Sequence, residues 1–174
     1  MVVVHVWEYR GKHEAWGHAS MTLPRDYISW WPQHPGQVPS ALPRTVRKLG
    51  LSPGPLANLY TSHPIRERTF RQDSDDEGGP PDHNVKLDGL NDEAIIQWWS
   101  SFGLSLNGEQ LHGPMLPWST LSQNCSSVVA KALQIAGGDT HASWTKARNL
   151  VWTPKDVLAY AQSIESGLAR AGRG

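Results

Sequence analysis

This 174-residue chain has a single cysteine, Cys125. That excludes an internal disulfide and any zinc site built from several cysteines, so stability must come from packing. Excess charge is also missing. Sixteen basic residues balance sixteen acidic ones, and the pI is near neutral. Neither a nucleic-acid footprint nor a polybasic membrane patch follows from that balance. No apolar run approaches the length that spans a bilayer, so stable membrane insertion is not expected. The opening Met1-Val-Val-Val-His-Val-Trp7 is too short and too interrupted by polar groups for a cleaved secretory leader. The chain therefore reads as soluble, and as either secreted without a leader or delivered into a target cell. What the chain has in abundance is tryptophan, nine in all, suited to a core or a cleft wall. Its length suits one domain with a proper core, and residues 1–174 are read as a single domain.

The pattern along the chain alternates strand and helix signals. Val2 to Tyr9 is β-branched and aromatic and predicts a first strand. Trp16 to Leu23 alternates, with Gly17, Ala19, Met21 and Leu23 on one side and His18, Ser20 and Thr22 on the other. Pro24-Arg25-Asp26 predicts a hairpin turn, and Tyr27 to Trp31 the returning strand. Most of the thirteen prolines fall in 32–84, read as a long insertion able to cover a cleft. Asn84 to Leu87 predicts a short strand, and Ala94 to Gly103 a helix opened by Asn91. Asp73-Ser-Asp-Asp-Glu-Gly78 reads as a solvated acidic loop, because a calcium loop would need a bidentate Glu where Asn84 stands. No metal or cofactor is expected. Thr153-Pro-Lys-Asp156 supplies a cap, a proline in the first turn and an acid at its third position, and so starts a last helix. The tail 170–174 is expected to fray.

The chemistry is expected around Cys125. Ser122, Gln123 and Asn124 are capping groups directly before it, and Val128, Val129 and Leu133 follow at helical spacing. A cysteine in a helix's first turn meets unpaired N–H groups and the positive end of the dipole, conditions that bring thiol pKa values to roughly 3.5–7.5. The same N–H groups, at Cys125 with Asn124 beside it, are candidates to hold an oxyanion. His18, on a strand beside a glycine, is the candidate base. For the group that orients the imidazole, Tyr27, Ser29 and Asp88 remain open.

A histidine on an early strand, a hairpin, a long middle and then Asn124-Cys125 opening a helix resembles the circularly permuted papain-like enzymes. The matching residues are Gly17-His18-Ala19-Ser20 and Asn124-Cys125. That group includes the lecithin:retinol acyltransferase-like enzymes, the PPPDE isopeptidases and permuted relatives of the NlpC-type peptidases. Bacterial effectors that fatty-acylate host lysines are similar in placing His before Cys, with an Asp between. The resemblance implies an α+β fold with a permuted papain-like core, an antiparallel sheet and the nucleophile helix packed on it. It also implies a toxin or effector domain whose thiolate attacks an acyl carbonyl. Water as acceptor makes it a peptidase or amidase, the reading favoured here, acting on a protein or a peptidoglycan peptide. A lysine acceptor makes it an acyltransferase. An immunity or carrier protein is a candidate partner. In the third reading Cys125 is structural and the domain only binds, which requires His18 to lie more than about 6 Å from it, beyond catalytic reach.

Overall fold

The computed structural model describes residues 1–9, 17–31, 68–102 and 124–173. Among these the fold is mixed α+β, centred on a four-stranded antiparallel sheet. The strands are β1 (Val2–Trp7), β2 (His18–Thr22), β3 (Tyr27–Ile28) and β4 (His83–Leu87), in the order β3-β2-β1-β4. The helices are α1 (Phe70–Asp76), α2 (Asp92–Phe102), α3 (Cys125–Ile135), α4 (Trp144–Ala147) and α5 (Pro154–Ala171). Helix α3 packs on β2, and α5 packs on β4 and β1.

The valines of β1 explain its central place. Val2, Val4 and Val6 are fully buried and meet Met21, Ala19, Val85 and Leu87 of the flanking strands within one core. From the helices, Val129 and Leu133 of α3 and Val157, Tyr160, Ala161 and Ile164 of α5 complete it. Each fully buried side chain of this size contributes about 1.5–3 kcal/mol of transfer free energy. Capping boxes start α1, α3 and α5 at Thr69/Gln72, Asn124/Ser127 and Thr153/Asp156. Each cap is worth about 1 kcal/mol. The predicted cap and proline of the last helix stand as read, with Pro154 in the first turn.

Three sequence expectations need correcting. The strand predicted over Tyr27 to Trp31 ends at Ile28, because the next residues turn their side chains to other partners: Ser29 and Trp31 to polar groups, Trp30 to the core. The acidic run is not a solvated loop. Thr69 and Gln72 cap a helix that carries it to Asp76, and Asp73 is fully buried. Asp88 follows Leu87, which pairs with Val2, whereas His18 pairs with Trp7 at the other end of β1. Five residue steps of about 3.4 Å each separate those ends, so the exposed Asp88 cannot reach the imidazole. Residues 32–67 of the insertion read over 32–84 lie outside the described residues.

Glycine matters at two points. Gly17 has φ +81°, and a Cβ there would sit 3.0 Å from the Trp7 carbonyl. What comes close to Gly17, beside His18, is therefore the backbone at the end of β1. Gly167 lies inside α5, where a Cβ would fall 1.9 Å from the His141 carbonyl oxygen. Gly167→Ala gains about 1 kcal/mol of helix propensity but forces α5 away from the turn at His141. The clash wins, and a net destabilisation of about 2 kcal/mol or more is expected in urea unfolding.

Candidate active site

The site forms where β2, the segment after β3, α1 and the start of α3 converge. Asn124 caps α3: its Oδ1 accepts from the Ser127 N–H at 2.9 Å, and its own N–H donates to Ser127 Oγ at 2.9 Å. Its Nδ2 donates to the Trp152 carbonyl at 3.0 Å. The oxyanion role expected of Asn124 is thus corrected, since these donors hold the cap. Cys125 keeps its place in the first turn, where N–H groups have no carbonyl within the helix to bond. Its sulfur lies 3.9 Å from Ser126 Oγ.

His18 is buried at the first position of β2. Its ring is flanked by Trp31 at 4.4 Å and Trp7 at 5.5 Å between centroids. Nε2 lies 3.1 Å from both Asp73 Oδ2 and Ser29 Oγ. His18 and Cys125 lie close enough for each to shift the ionisation of the other.

Asp73 is the residue that sequence reasoning missed as an orienting group. It is 0% exposed, yet charged donors and dipoles surround it. Besides His18, it accepts from Tyr27 OH at 2.6 Å, Trp31 Nε1 at 2.7 Å and Arg68 Nε at 3.0 Å. Arg68 also bridges Asp76 and lies 4.7 Å over the Trp31 ring. Tyr27 and Ser29, both proposed from sequence to contact His18, are therefore at the site. Ser29 touches the imidazole, while Tyr27 acts on Asp73 and lies 2.7 Å from Ser20 Oγ. The signal available in the sequence was Thr69-x-x-Gln72, which starts a helix that turns Asp73 and Glu77 to the same buried side.

Electrostatics follow from this packing. Burial opposes charge on His18, but the facing Cys125 sulfur and the Asp73 carboxylate outweigh it and raise the imidazole to about 9. Burial pushes the Cys125 thiol up; the His18 charge and hydrogen bond, the Ala19 N–H and Ser126 outweigh that and bring it below its ordinary value. Burial likewise opposes ionisation of Asp73, but its donors hold it well below the usual carboxylate range. Burial and the neighbouring Asp73 drive the Tyr27 phenol far above its usual value, so it stays a donor. A thiolate–imidazolium pair backed by a carboxylate is the arrangement a nucleophilic sulfur needs. The neighbouring His5 is different. Burial lowers its pKa, and it fits as a neutral ring between Asn84 Oδ1 at 2.5 Å and Thr22 Oγ1 at 2.8 Å. Among the described residues, no group of three or more His, Cys, Asp or Glu is placed to hold a metal ion. Also among them, no helix is long and apolar enough to cross a membrane.

No curated protein and no solved structure matches the chain. One family model does: the IcsB middle domain, over residues 44–173. The match takes in Asp73 and Cys125 and begins after His18, whose place beside them comes from the sheet register. With most of its length covered, this chain belongs to the IcsB middle-domain family.

Proposed function

We propose that this chain is a cysteine-dependent acyltransferase that works through Cys125, His18 and Asp73 and passes an acyl group to a lysine amine. The observation that carries the reading is the meeting of these three side chains, with Asp73 lying between His18 and Cys125 in the sequence. That order is similar to the order His, Asp, Cys of bacterial effectors that fatty-acylate host lysines. The family match supports the effector part of that likeness, because the IcsB middle domain is a bacterial effector domain. The permuted papain-like core is part of the same proposal, supported by a histidine strand that precedes the nucleophile helix packed on it.

The thiolate of Cys125 attacks the carbonyl carbon of an acyl thioester. The N–H groups opening α3 face the developing oxyanion. As the tetrahedral intermediate collapses, the donor's carbon–sulfur bond breaks. His18 gives a ring proton to the departing thiolate and leaves the acyl group on Cys125. A lysine amine then attacks that thioester, His18 takes its proton, and the Cys125 thiolate departs. Asp73, held ionised, keeps the imidazole oriented through both steps.

A second reading keeps the same acyl-enzyme but uses water as acceptor, giving the amide hydrolase favoured from sequence alone. Incubation with a long-chain acyl thioester and a lysine peptide, followed by intact-mass analysis, separates the two. The acyltransferase leaves a hydroxylamine-labile adduct on Cys125 and a hydroxylamine-stable one on the peptide. Free fatty acid with no peptide adduct supports the hydrolase. If Cys125→Ala behaves as the unaltered chain does, both readings fall.

A further inference from the structure

Residues 143–152, Ser-Trp-Thr-Lys-Ala-Arg-Asn-Leu-Val-Trp, expose an unusual set of side chains. Leu150 is wholly exposed, Trp144 is 71% exposed and Val151 is 44% exposed. Lys146 and Arg148 are exposed among them, and the stretch contains no acidic residue. Arg148 stands 5.1 Å from the Trp144 ring. This is not fraying, because the stretch is pinned along its length. The Ser143 N–H donates to Ser163 Oγ at 2.8 Å, and the Ala147 carbonyl accepts from Gln134 Nε2 at 3.3 Å. At its far end the Trp152 carbonyl accepts from Asn124, the residue before Cys125, and the Trp152 ring packs on Tyr160.

We infer that residues 144–151 form a docking surface for an anionic lipid membrane, which seats the protein peripherally with the start of α3 near the bilayer. A side chain as exposed as Leu150 stands proud of the surface with no pocket around it. Fluid hydrocarbon accepts such a shape without needing a complementary one, whereas protein partners fit their anchors into well-packed pockets. Indole settles at the interfacial level, and Lys and Arg stems lie along it with their charges among acidic headgroups. The absence of acidic residues leaves nothing in the stretch to repel those headgroups. This seating differs from insertion, and it needs no spanning helix. The surface stands without the acyl-transfer reading. Taken with that reading, it brings the nucleophile to the place where long acyl chains reside.

The test is vesicle co-sedimentation of the Cys125→Ala chain with phosphatidylcholine alone and with added phosphatidylserine. Binding to the phosphatidylserine vesicles is expected, weakening as salt rises. Leu150→Ser/Val151→Ser and, separately, Lys146→Gln/Arg148→Gln should each weaken it by about tenfold or more. Their melting temperatures should match the parent, since these side chains are exposed. The inference is overturned if phosphatidylserine vesicles leave the protein in solution at low salt, or if both double variants bind like the parent. It is also overturned if sedimentation velocity shows a dimer that Leu150→Ser/Val151→Ser dissolves, for then a second copy occupies the surface. Failure of this inference and failure of the acyl-transfer reading are distinguishable. A chain that takes no acyl group on Cys125 yet binds these vesicles loses that reading and keeps the surface. One that is acylated but ignores vesicles does the reverse.

Discussion

His18→Ala is expected to turn Cys125 from a reactive thiolate into a sluggish, half-buried thiol. Two opposing effects act on the sulfur. Burial favours the neutral thiol, and the charge and hydrogen bond of His18 favour the thiolate and win. Deleting the imidazole removes the winner and leaves burial in place, so the thiol rises. Alkylation by iodoacetamide below pH 7 should then slow by about tenfold or more, the loss of thiolate being partly offset by the greater nucleophilicity of a more basic sulfur. In the unaltered chain the paired state should persist up to about pH 9, where the imidazolium deprotonates. The acyl-transfer rate should fall further than alkylation, by about 10²–10⁴-fold, because His18 also supplies and removes protons in the reaction. Rate–pH profiles of both reactions check this. Equal alkylation of parent and variant at pH 6 would show that the sulfur does not depend on His18.

The sulfur and the imidazole were legible in the sequence because each sits in a local pattern with one structural solution. Asn124-Cys125 followed by Val128, Val129 and Leu133 can only be a capped helix with one apolar face, and α3 is that helix. His18 belongs to a strand whose alternation is visible over a few residues. The last helix was legible for the same reason, from Thr153 and Pro154. The carboxylate was not. Asp73 lies among acidic neighbours, and composition alone makes such a run solvated. Its burial depends on Tyr27, Ser29, Trp31 and Arg68 arriving from elsewhere in the chain to supply donors, a tertiary fact with no local signature. Asp88 looked suitable because it precedes a helix, but sheet register, which spacing does not reveal, put it at the wrong end of β1.

Asp73→Asn should be the most destabilising single-atom exchange in the site, despite its conserved shape. Every partner of Asp73 donates: the His18 ring nitrogen, a hydroxyl, an indole and a guanidinium. Asparagine offers one acceptor oxygen and turns an NH₂ group toward the remaining donors. It also leaves Arg68 without its buried counter-ion. Breaking a buried charged network in this way costs about 3–5 kcal/mol, a large part of the ~5–15 kcal/mol that holds a domain together. Tyr27→Phe removes one donor of several and should cost about 1 kcal/mol. The pH dependence carries a sign that packing alone would not produce. Asp73 is held below its unfolded value, so its contribution is complete above about pH 4 and is lost on acidification. His18 is held above its unfolded value, so its contribution is complete below pH 6.5 and is lost as pH rises through about 9. Urea unfolding of the unaltered chain should therefore give its greatest stability from these two groups between about pH 4 and 6.5. In Asp73→Asn the acid-side loss should flatten. The alkaline loss should still begin near pH 6.5 but be smaller and end at a lower pH, because the imidazolium keeps the Cys125 sulfur in front of it but no longer has a carboxylate behind it. A variant as stable as the parent throughout that range would mean that Asp73 is not ionised against His18.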